Sequence, residues 1–320
     1  MNGIKAIIRK ELADQFSSYR FIILFALIAM VSLITTYMVG MGLKEELAGV
    51  AKPGFVFLML FTSTGPLFSL VQFVAFFGPL IGLVLGFDSI NRERSTGTLS
   101  KLASQPIYRD AIINGKFLSG VVTISIILVS ILLVVTGLGL TVIGVVPGVE
   151  EVWRLIIYLV ISIFYISFWL GISILFSILF RGIATSALAT LAIWIFFSFF
   201  ISMGASVVAN AVVPIDQGNQ NNPQVVLKHV KVQRVVSLFS PMQLYNDSTA
   251  IIVDPTRKTT QSLVLMGPME RLSLSRFDRP LALAQSIYVV IPHIISLIAI
   301  TVICFAVSYT VFMRQEIRSV

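Results

Sequence analysis

The stretch FDSINRERSTGTLSKLASQP runs from Phe87 to Pro106 and is densely polar within a chain that is otherwise largely apolar. Of the 320 residues, 57% are hydrophobic and only 12% are charged, against about 25% charged in a typical soluble domain. Runs of about 20 apolar residues recur, which is the length that a helix needs to cross ~30 Å of hydrocarbon. Because these runs are continuous and do not alternate, they predict an all-α polytopic membrane protein and not a barrel.

The apolar runs on either side of this stretch, and those further along the chain, predict six transmembrane helices. Their expected bounds are about Phe21–Met41, Pro66–Phe87, Phe117–Ile143, Leu155–Phe180, Ile183–Val207 and Ser286–Met313. The run from Phe55 to Phe87 is too long for one untilted crossing, so we expect Gly65-Pro66 to divide it into a short outer segment and span two.

The first residues, 2–19, predict an amphipathic helix on the membrane surface. Ile4, Ile7 and Ile8 share one face, while Lys5 and Arg9 fall elsewhere. A helix simply solvated by water is the alternative. The coarse division is therefore residues 1–208 with spans one to five, a polar region at 209–285, and residues 286–320 with span six.

Lys and Arg predict the orientation of the six spans, because cytoplasmic loops are enriched in them. Twelve fall on the side that holds both termini, against three in the two short loops opposite. The twelve are Lys5, Arg9, Lys10, Arg20, Arg92, Arg94, Lys101, Arg109, Lys116, Arg181, Arg314 and Arg318; the three are Lys44, Lys52 and Arg154. We therefore expect both termini in the cytoplasm, a plasma (inner) membrane location, and an extracytoplasmic region at 209–285. Because this topology explains the net charge of +8, we predict no nucleic-acid partner.

The sequence lacks the common nucleotide-binding and catalytic motifs. It contains no Walker A motif, no His-Glu-x-x-His and no Gly-x-Ser-x-Gly. Cys304 is the single cysteine, and His293 in span six reads better as a hydrogen-bonded packing residue than as a ligand. Acidic residues are nearly missing from the predicted spans, so no ion-coupling site is expected. We therefore predict no metal or cofactor on this chain, no enzymatic activity, and an energy source on another chain.

The opening stretch predicts an ordered succession of short elements. Asp88 to Arg94 extends span two, and Ser95-Thr96-Gly97-Thr98 is a break with capping residues. Thr98 is placed to cap a short helix that presents Leu99 and Leu102 and ends near Gln105, before Pro106.

This order of residues resembles the membrane subunit of type-2 ABC permeases, the G-type ABC exporter fold. That family carries, after its second span, a pattern of Glu-x-x-x-Gly-Thr-Leu-x-x-Leu, Ser-x-Pro, Arg and Gly-Lys. The matching residues here are Glu93, Gly97-Thr98-Leu99, Leu102, Ser104-Gln105-Pro106, Arg109 and Gly115-Lys116. The six-span order, the amino-terminal helix and Ser240-Pro241 before the last span also agree. The region between spans five and six is longer than in the simplest members.

The resemblance implies a complex of two membrane subunits, each this chain or a related one, with two ABC ATPase subunits that hold ATP and Mg. The helix at about Thr98–Gln105 would be the coupling helix, and the amino-terminal helix the connecting helix beside it. The residues expected to couple to the ATPase are Glu93, Arg94, Thr98, Leu99, Leu102 and Arg109. Arg92, Arg94 and Lys101 have an alternative role as topology anchors, but Glu93 has none, because acidic residues do little for topology.

In the same family, spans two and five line the substrate pathway. Here they offer Phe73, Phe76, Phe77, Trp194, Phe197 and Phe200, which together favour an apolar or amphipathic cargo. Packing between helices or contact with lipid is the alternative for each of them. In the polar region, residues 225–239 fit a helix or a strand equally well, and residues 242–252 predict a helix against the outer leaflet. We expect a small mixed extracytoplasmic cap there.

The sequence therefore favours a permease subunit of an ATP-driven exporter, embedded in the lipid bilayer. Two alternatives stay open. One is an ATPase-coupled membrane protein with a mechanical or sensory role, whose coupling stretch would look the same. The other is a six-span membrane enzyme, against which the missing catalytic motifs argue.

Overall fold

The computed structural model describes residues 2–46, 54–62, 69–98, 108–215, 222–257 and 280–315. Every regular element in these ranges is helical, and six of them are long and apolar enough to cross a membrane. Spans one to four are Tyr19–Glu46, Leu70–Gly86, Arg109–Ile143 and Val149–Leu179; span five is Ile183–Ile195, a π-helical turn at Phe196–Phe200 and Ile201–Val212; span six is Leu283–Arg314. The prediction of an all-α protein with six spans is confirmed.

The predicted division of the long second apolar run agrees with the helices on either side of it. A short helix occupies Val56–Thr62, and span two begins at Leu70. Ser69 caps span two: its hydroxyl accepts from the Gln72 amide at 3.2 Å, and the Gln72 side chain accepts from the Ser69 amide at 3.1 Å. Gly65 and Pro66 themselves lie outside the described residues.

Span three begins at Arg109, about two turns before the predicted Phe117. These turns agree with the interpretation of residues 108–116 as helix that leads into span three. They continue the helix beyond the apolar run, and Asp110 in the first turn is favourable at the positive end of the helix dipole.

Span four is the centre of the bundle and packs against spans two and six. Close approach to span two depends on small residues: a Cβ added at Gly82 would lie 2.7 Å from the Ile166 carbonyl oxygen. Tyr165 and Trp169 of span four are completely buried. This agrees with helix packing in membranes, where small residues let backbones approach and van der Waals contact holds the helices together.

The amino-terminal helix, Asn2–Phe16, packs against span three. Ile7 is buried there, whereas Lys5 and Arg9 are exposed, so the helix is amphipathic as predicted. A Cβ at Gly115 would lie 2.7 Å from Ile7, so the glycine is what permits this close contact.

Two helices form the described part of the region between spans five and six. Cap helix one is Pro223–Ser237, and cap helix two is Pro241–Val253. Cap helix one covers most of residues 225–239, for which the sequence allowed either a helix or a strand, and it is a helix. The expected mixed structure is not seen in the described part of this region, which is entirely helical; residues 216–221 and 258–279 lie outside it.

The expected position of cap helix two, against the outer leaflet, is wrong. The helix packs against spans two, four and six, and its Tyr245 and Ile251 are completely buried. Its capping residue Ser240 donates to the carbonyl of Phe197, near the middle of span five, at 3.1 Å. Nine of its 13 residues are buried, which is typical of a helix inside a bundle.

Candidate functional site

The polar stretch after span two is held at one end of the bundle. A turn leads from Gly86 to a short helix at Asn91–Ser95. The Ser177 hydroxyl of span four accepts from the amides of Ile90 and Asn91, at 3.0 and 3.1 Å. The start of the polar stretch is thereby fixed to the end of span four.

Glu93 lies at the centre of a buried ion cluster, defined here as Lys10, Glu11, Glu93 and Lys116. Its Oε1 is 2.8 Å from Lys10 Nζ on the amino-terminal helix and 3.0 Å from Lys116 Nζ on span three. Glu11 Oε1 is 2.8 Å from the same Lys116 nitrogen and 3.1 Å from that of Lys10. Two carboxylates and two ammonium groups therefore join three helices with no excess charge.

The electrostatics of the ion cluster favour its fully charged state. Burial alone would lower the pKa of Lys10, but its hydrogen bond to Glu93 and the charges of Glu11 and Glu93 raise it overall. Burial alone would raise the pKa of Glu11, but the charge and hydrogen bond of Lys116, reinforced by Lys10, lower it. Both side chains therefore stay ionised at neutral pH.

The predicted break after Arg94 is confirmed. The short helix ends at Ser95, and Gly97 adopts a φ of 68°, a left-handed conformation that glycine takes without strain. The Thr98 hydroxyl donates to the Glu93 carbonyl at 3.2 Å. Leu99 and Leu102 lie outside the described residues, so the coupling helix that they define stays a prediction.

Two further predicted coupling residues meet at the end of span six. Arg94 Nη2 donates to the Gln315 side-chain oxygen at 2.7 Å, and Arg109 Nη2 donates to the Gln315 carbonyl at 2.7 Å. The Gln315 amide group donates in turn to the Ile178 carbonyl of span four at 2.9 Å. Arg94 and Arg109 thus have specific partners, and the amino-terminal helix and the end of span six lie at the same end of the bundle.

A cavity of about 830 Å³ opens beside the ion cluster. The amino-terminal helix, the start of span one and the exit of span two line it. Arg20 and Asp88 form an ion pair of 2.8 Å at its edge. The side chain of Arg92 also lines it, is exposed, and has no partner among the described residues. The cavity is a recess lined by both charged and apolar side chains.

The predicted pathway residues differ in exposure: some pack inside the single chain, whereas Phe200 is exposed. Phe76 joins spans two and five, with its ring centre 5.2 Å from that of Trp194 and 4.9 Å from that of Phe77. Phe73 and Trp194 are buried within the single chain and act there as packing residues. Phe200, in the π-helical turn of span five, is instead 56% exposed.

Sequence reasoning missed Glu11 and Gln315. Glu11 carries a recognisable signal, because it lies one helical turn after Ile7 on the apolar face, where an unpaired acid would be costly. Gln315 has no such signal, since its role depends on where span six ends relative to Arg94 and Arg109.

An acidic residue that belongs to none of the six spans is nevertheless buried among them. Asp247 of cap helix two is buried, with its Oδ2 2.6 Å from Arg234 Nη2 and 3.9 Å from His293 Nε2 of span six. In the sequence-based prediction, Asp247 lies outside the bundle, because the whole of cap helix two is expected to lie against the outer leaflet. Its charge is balanced by Arg234 of cap helix one, so the group is a closed ion pair in this structure.

The six spans, buried polar links and apolar surface define a multi-pass helical membrane protein. The chain matches the family described as ABC-2 family transporter protein over residues 5–317. It therefore belongs to this family, which confirms the resemblance drawn from the coupling stretch. It is a membrane permease component of a transporter and not itself catalytic. No curated protein matches the chain significantly.

Proposed function

We propose that this chain is the transmembrane permease subunit of an ATP-driven ABC exporter. Two copies, or this chain and a related one, would form the substrate pathway, and two separate ATPase subunits would bind ATP and Mg. The observation that carries the proposal is the ion cluster. It joins Glu93 of the polar stretch to the amino-terminal helix and to span three, at the place where the family's coupling segment lies.

The mechanism follows from these links. A push on residues 88–98 would reach span three through Lys116, span four through Ser177, and span six through Gln315. ATP-driven closure of the ATPase pair would therefore tilt several spans together, which is a rigid-body change and not a local one. The recess beside Arg92 would offer a place for side chains of the ATPase.

The docking role is tested at Leu99 and Leu102. We expect Leu99→Asp or Leu102→Asp to weaken co-purification with the ATPase, because a carboxylate in an apolar partner groove costs several kcal/mol. Lys101→Ala, in the same segment, is the matched control and should assemble normally. Unchanged yield of ATPase with both aspartate variants would count against docking at this segment.

The exposed face of span five supports the dimer. Phe196, Phe199, Phe200, Met203 and Val207 are all well exposed along it. A dense aromatic surface suits either a second permease subunit or an apolar or amphipathic cargo. Crosslinking between cysteines at Met203 in two copies, in a Cys304→Ala background, tests contact of these faces; monomers alone under oxidising conditions would argue against it.

We further propose that both termini are cytoplasmic and that the membrane is the plasma (inner) membrane. In a Cys304→Ala background, a cysteine at the exposed Gln224 should react with an impermeant thiol reagent in whole cells. A cysteine at the exposed Ser95 should react only after the membrane is opened. The reverse pattern would invert the topology and remove the polar stretch from reach of an ATPase.

Transport itself is tested with the purified complex. Cargo that is moved by an exporter should stimulate ATP hydrolysis in lipid nanodiscs, and apolar or amphipathic compounds are the first to try. Hydrolysis that responds to no compound, in a complex that assembles normally, would favour the mechanical or sensory role instead.

A further inference from the structure

The first turn of span four, Gly148–Arg154, organises the end of the bundle opposite the ion cluster. Glu151 accepts from the Gly148 amide at 2.7 Å, which caps its own helix. Its other oxygen accepts from the Phe57 amide at 3.0 Å and so holds the start of the short helix Val56–Thr62. In the sequence this turn looks like part of a small loop, and only the fold gives it partners.

Arg154 is the most extensively bonded side chain of this turn. It is completely buried. Its Nη1 donates to the Ile252 carbonyl at 3.1 Å and to the Ser286 hydroxyl at 3.1 Å. Its Nη2 donates to the Leu281 carbonyl at 2.6 Å and to Glu150 Oε1 at 2.8 Å.

These acceptors belong to separate parts of the chain. Ile252 lies in the last turn of cap helix two, whose final carbonyls have no partner within the helix. Leu281 and Ser286 flank the start of span six. A guanidinium at the negative end of a helix dipole is favourable, and its planar fork suits several carbonyls at once. Since all its nitrogens are engaged, Arg154 positions protein segments and binds no ligand in this structure.

Cap helix two is held at its last turn by Arg154 and at deeper positions by other contacts. Its other contacts are deep: the Tyr245 hydroxyl is 2.8 Å from that of Ser162, and Ser240 bonds to Phe197. Both contacts lie near the middle of spans four and five. The helix therefore enters the bundle from the end where Arg154 lies and packs against spans two, four and six.

We propose that Arg154 is a positioning residue that fastens cap helix two to span four and to the start of span six. This fastening does not rest on the proposed function. Cap helix two would open only together with span four and the start of span six, because Arg154 binds all three.

The fastening is tested by thiol reactivity in nanodiscs, where both faces of the protein are accessible. In a Cys304→Ala background, Ser248→Cys reports on cap helix two, since Ser248 is completely buried and its hydroxyl bonds only within its own helix. We expect Arg154→Gln to raise the maleimide reaction rate of this cysteine by about tenfold or more, as the helix opens locally.

Two controls separate positioning from general folding. Thr190→Cys, at a completely buried site in span five with a hydroxyl bonded only within its helix, should stay unreactive in the Arg154→Gln protein. Arg257→Gln removes an exposed arginine that follows cap helix two and should leave Ser248→Cys unreactive. If the reaction rate of Ser248→Cys is unchanged by Arg154→Gln, or rises together with that of Thr190→Cys, the proposal is wrong.

Arg154→Lys provides a second variant that keeps the charge. Lysine has no planar fork and reaches fewer of these carbonyls, so the Ser248→Cys rate should lie between those of the native arginine and of glutamine. A rate equal to that with arginine would contradict the geometric role. Neither an ATPase nor a cargo enters these measurements, so their failure would leave the proposed function untouched, and failure of that function would leave the fastening of cap helix two intact.

Discussion

The two ends of the bundle are held by polar groups of different kinds. At one end, the ion cluster pairs ammonium groups with carboxylates, and Lys10 keeps 47% of its side chain exposed. At the other end, Arg154 is completely buried and binds the backbone carbonyls of Ile252 and Leu281 as well as Ser286 and Glu150.

The difference lies in how easily partners are exchanged. Lys10 Nζ is within 3.4 Å of Asp14 as well as of Glu11 and Glu93, so one contact is replaced by another at little cost. The carbonyls around Arg154 have no comparable substitute for its donors. The end with the ion cluster can therefore adjust as a partner moves it, whereas the end at Arg154 moves only as a unit.

The largest effect is expected from Arg154→Ala. Several buried carbonyls and Glu150 lose their donor at once, and we expect the free energy of unfolding to fall by about 3–5 kcal/mol. Denaturant unfolding of the detergent-solubilised protein measures this. Arg257→Ala is the control and should change little; equal stability of the two variants would remove the contrast between buried and exposed arginines.

A smaller but functional effect is expected from Glu93→Ala. The protein should insert normally and lose about 2–3 kcal/mol, because the buried Lys116 keeps only Glu11 as a partner. Transport should become uncoupled from ATP hydrolysis in the complex with the ATPase. Asp14→Ala, at an exposed acid that also faces Lys10, is the matched control. Native transport and native hydrolysis together in Glu93→Ala would refute the coupling role.

Gly115→Ala probes the contact beneath the ion cluster. Its new methyl group would meet Ile7 at 2.7 Å, so the amino-terminal helix must shift, at a cost of about 1–2 kcal/mol. Ile7→Ala should relieve that clash, so the double variant should lose less than the sum of the two single ones. Strictly additive losses in denaturant unfolding would mean that Ile7 and Gly115 are not in contact.

The smallest effect is expected from pH. The contribution of Glu11, whose pKa is lowered from 4.5, is present above pH 4.5 and is lost only as the pH falls through its folded value. The contribution of Lys10, whose pKa is raised from 10.5, is present below pH 10.5 and is lost only above that. The cluster should therefore stay intact from about pH 5.5 to 9.

Thiol reactivity measures this with two cysteines in a Cys304→Ala background. The reaction rate at the buried Ile7 position, divided by that at the exposed Ala13 position, corrects for the pH dependence of the thiol itself. The ratio should be constant over that range. A rise near neutral pH would show that a group with a pKa in that region controls the contact.

Much of the fold was predictable because it depends on local properties. The length of an apolar run decides whether it spans the membrane, and the capping residues around Gly97 decide where the helix after span two ends. That Glu93 has a specific partner was also predictable, since an acid in a basic stretch needs one. That partner was not: Lys10 and Lys116 are distant in sequence and meet only because the amino-terminal helix packs on span three.

Cap helix two shows where such reasoning fails. Its helical character follows from Pro241 at its start and from its composition, but its depth does not. A 13-residue helix with several polar side chains is equally suited to a membrane surface, and only the neighbouring spans supply partners for Tyr245 and Asp247. The same holds for Arg154, which by composition is simply a basic residue in a short loop.

The sequence by itself thus determined the membrane class, the number of spans, the break at Gly97 and the family pattern that begins at Glu93, because each is encoded in neighbouring residues. Only the tertiary structure decided which charges are buried together and which segments they join. The reason is energetic: a buried charge is tolerated only beside a partner, and whether that partner is present depends on helices brought together from distant parts of the chain.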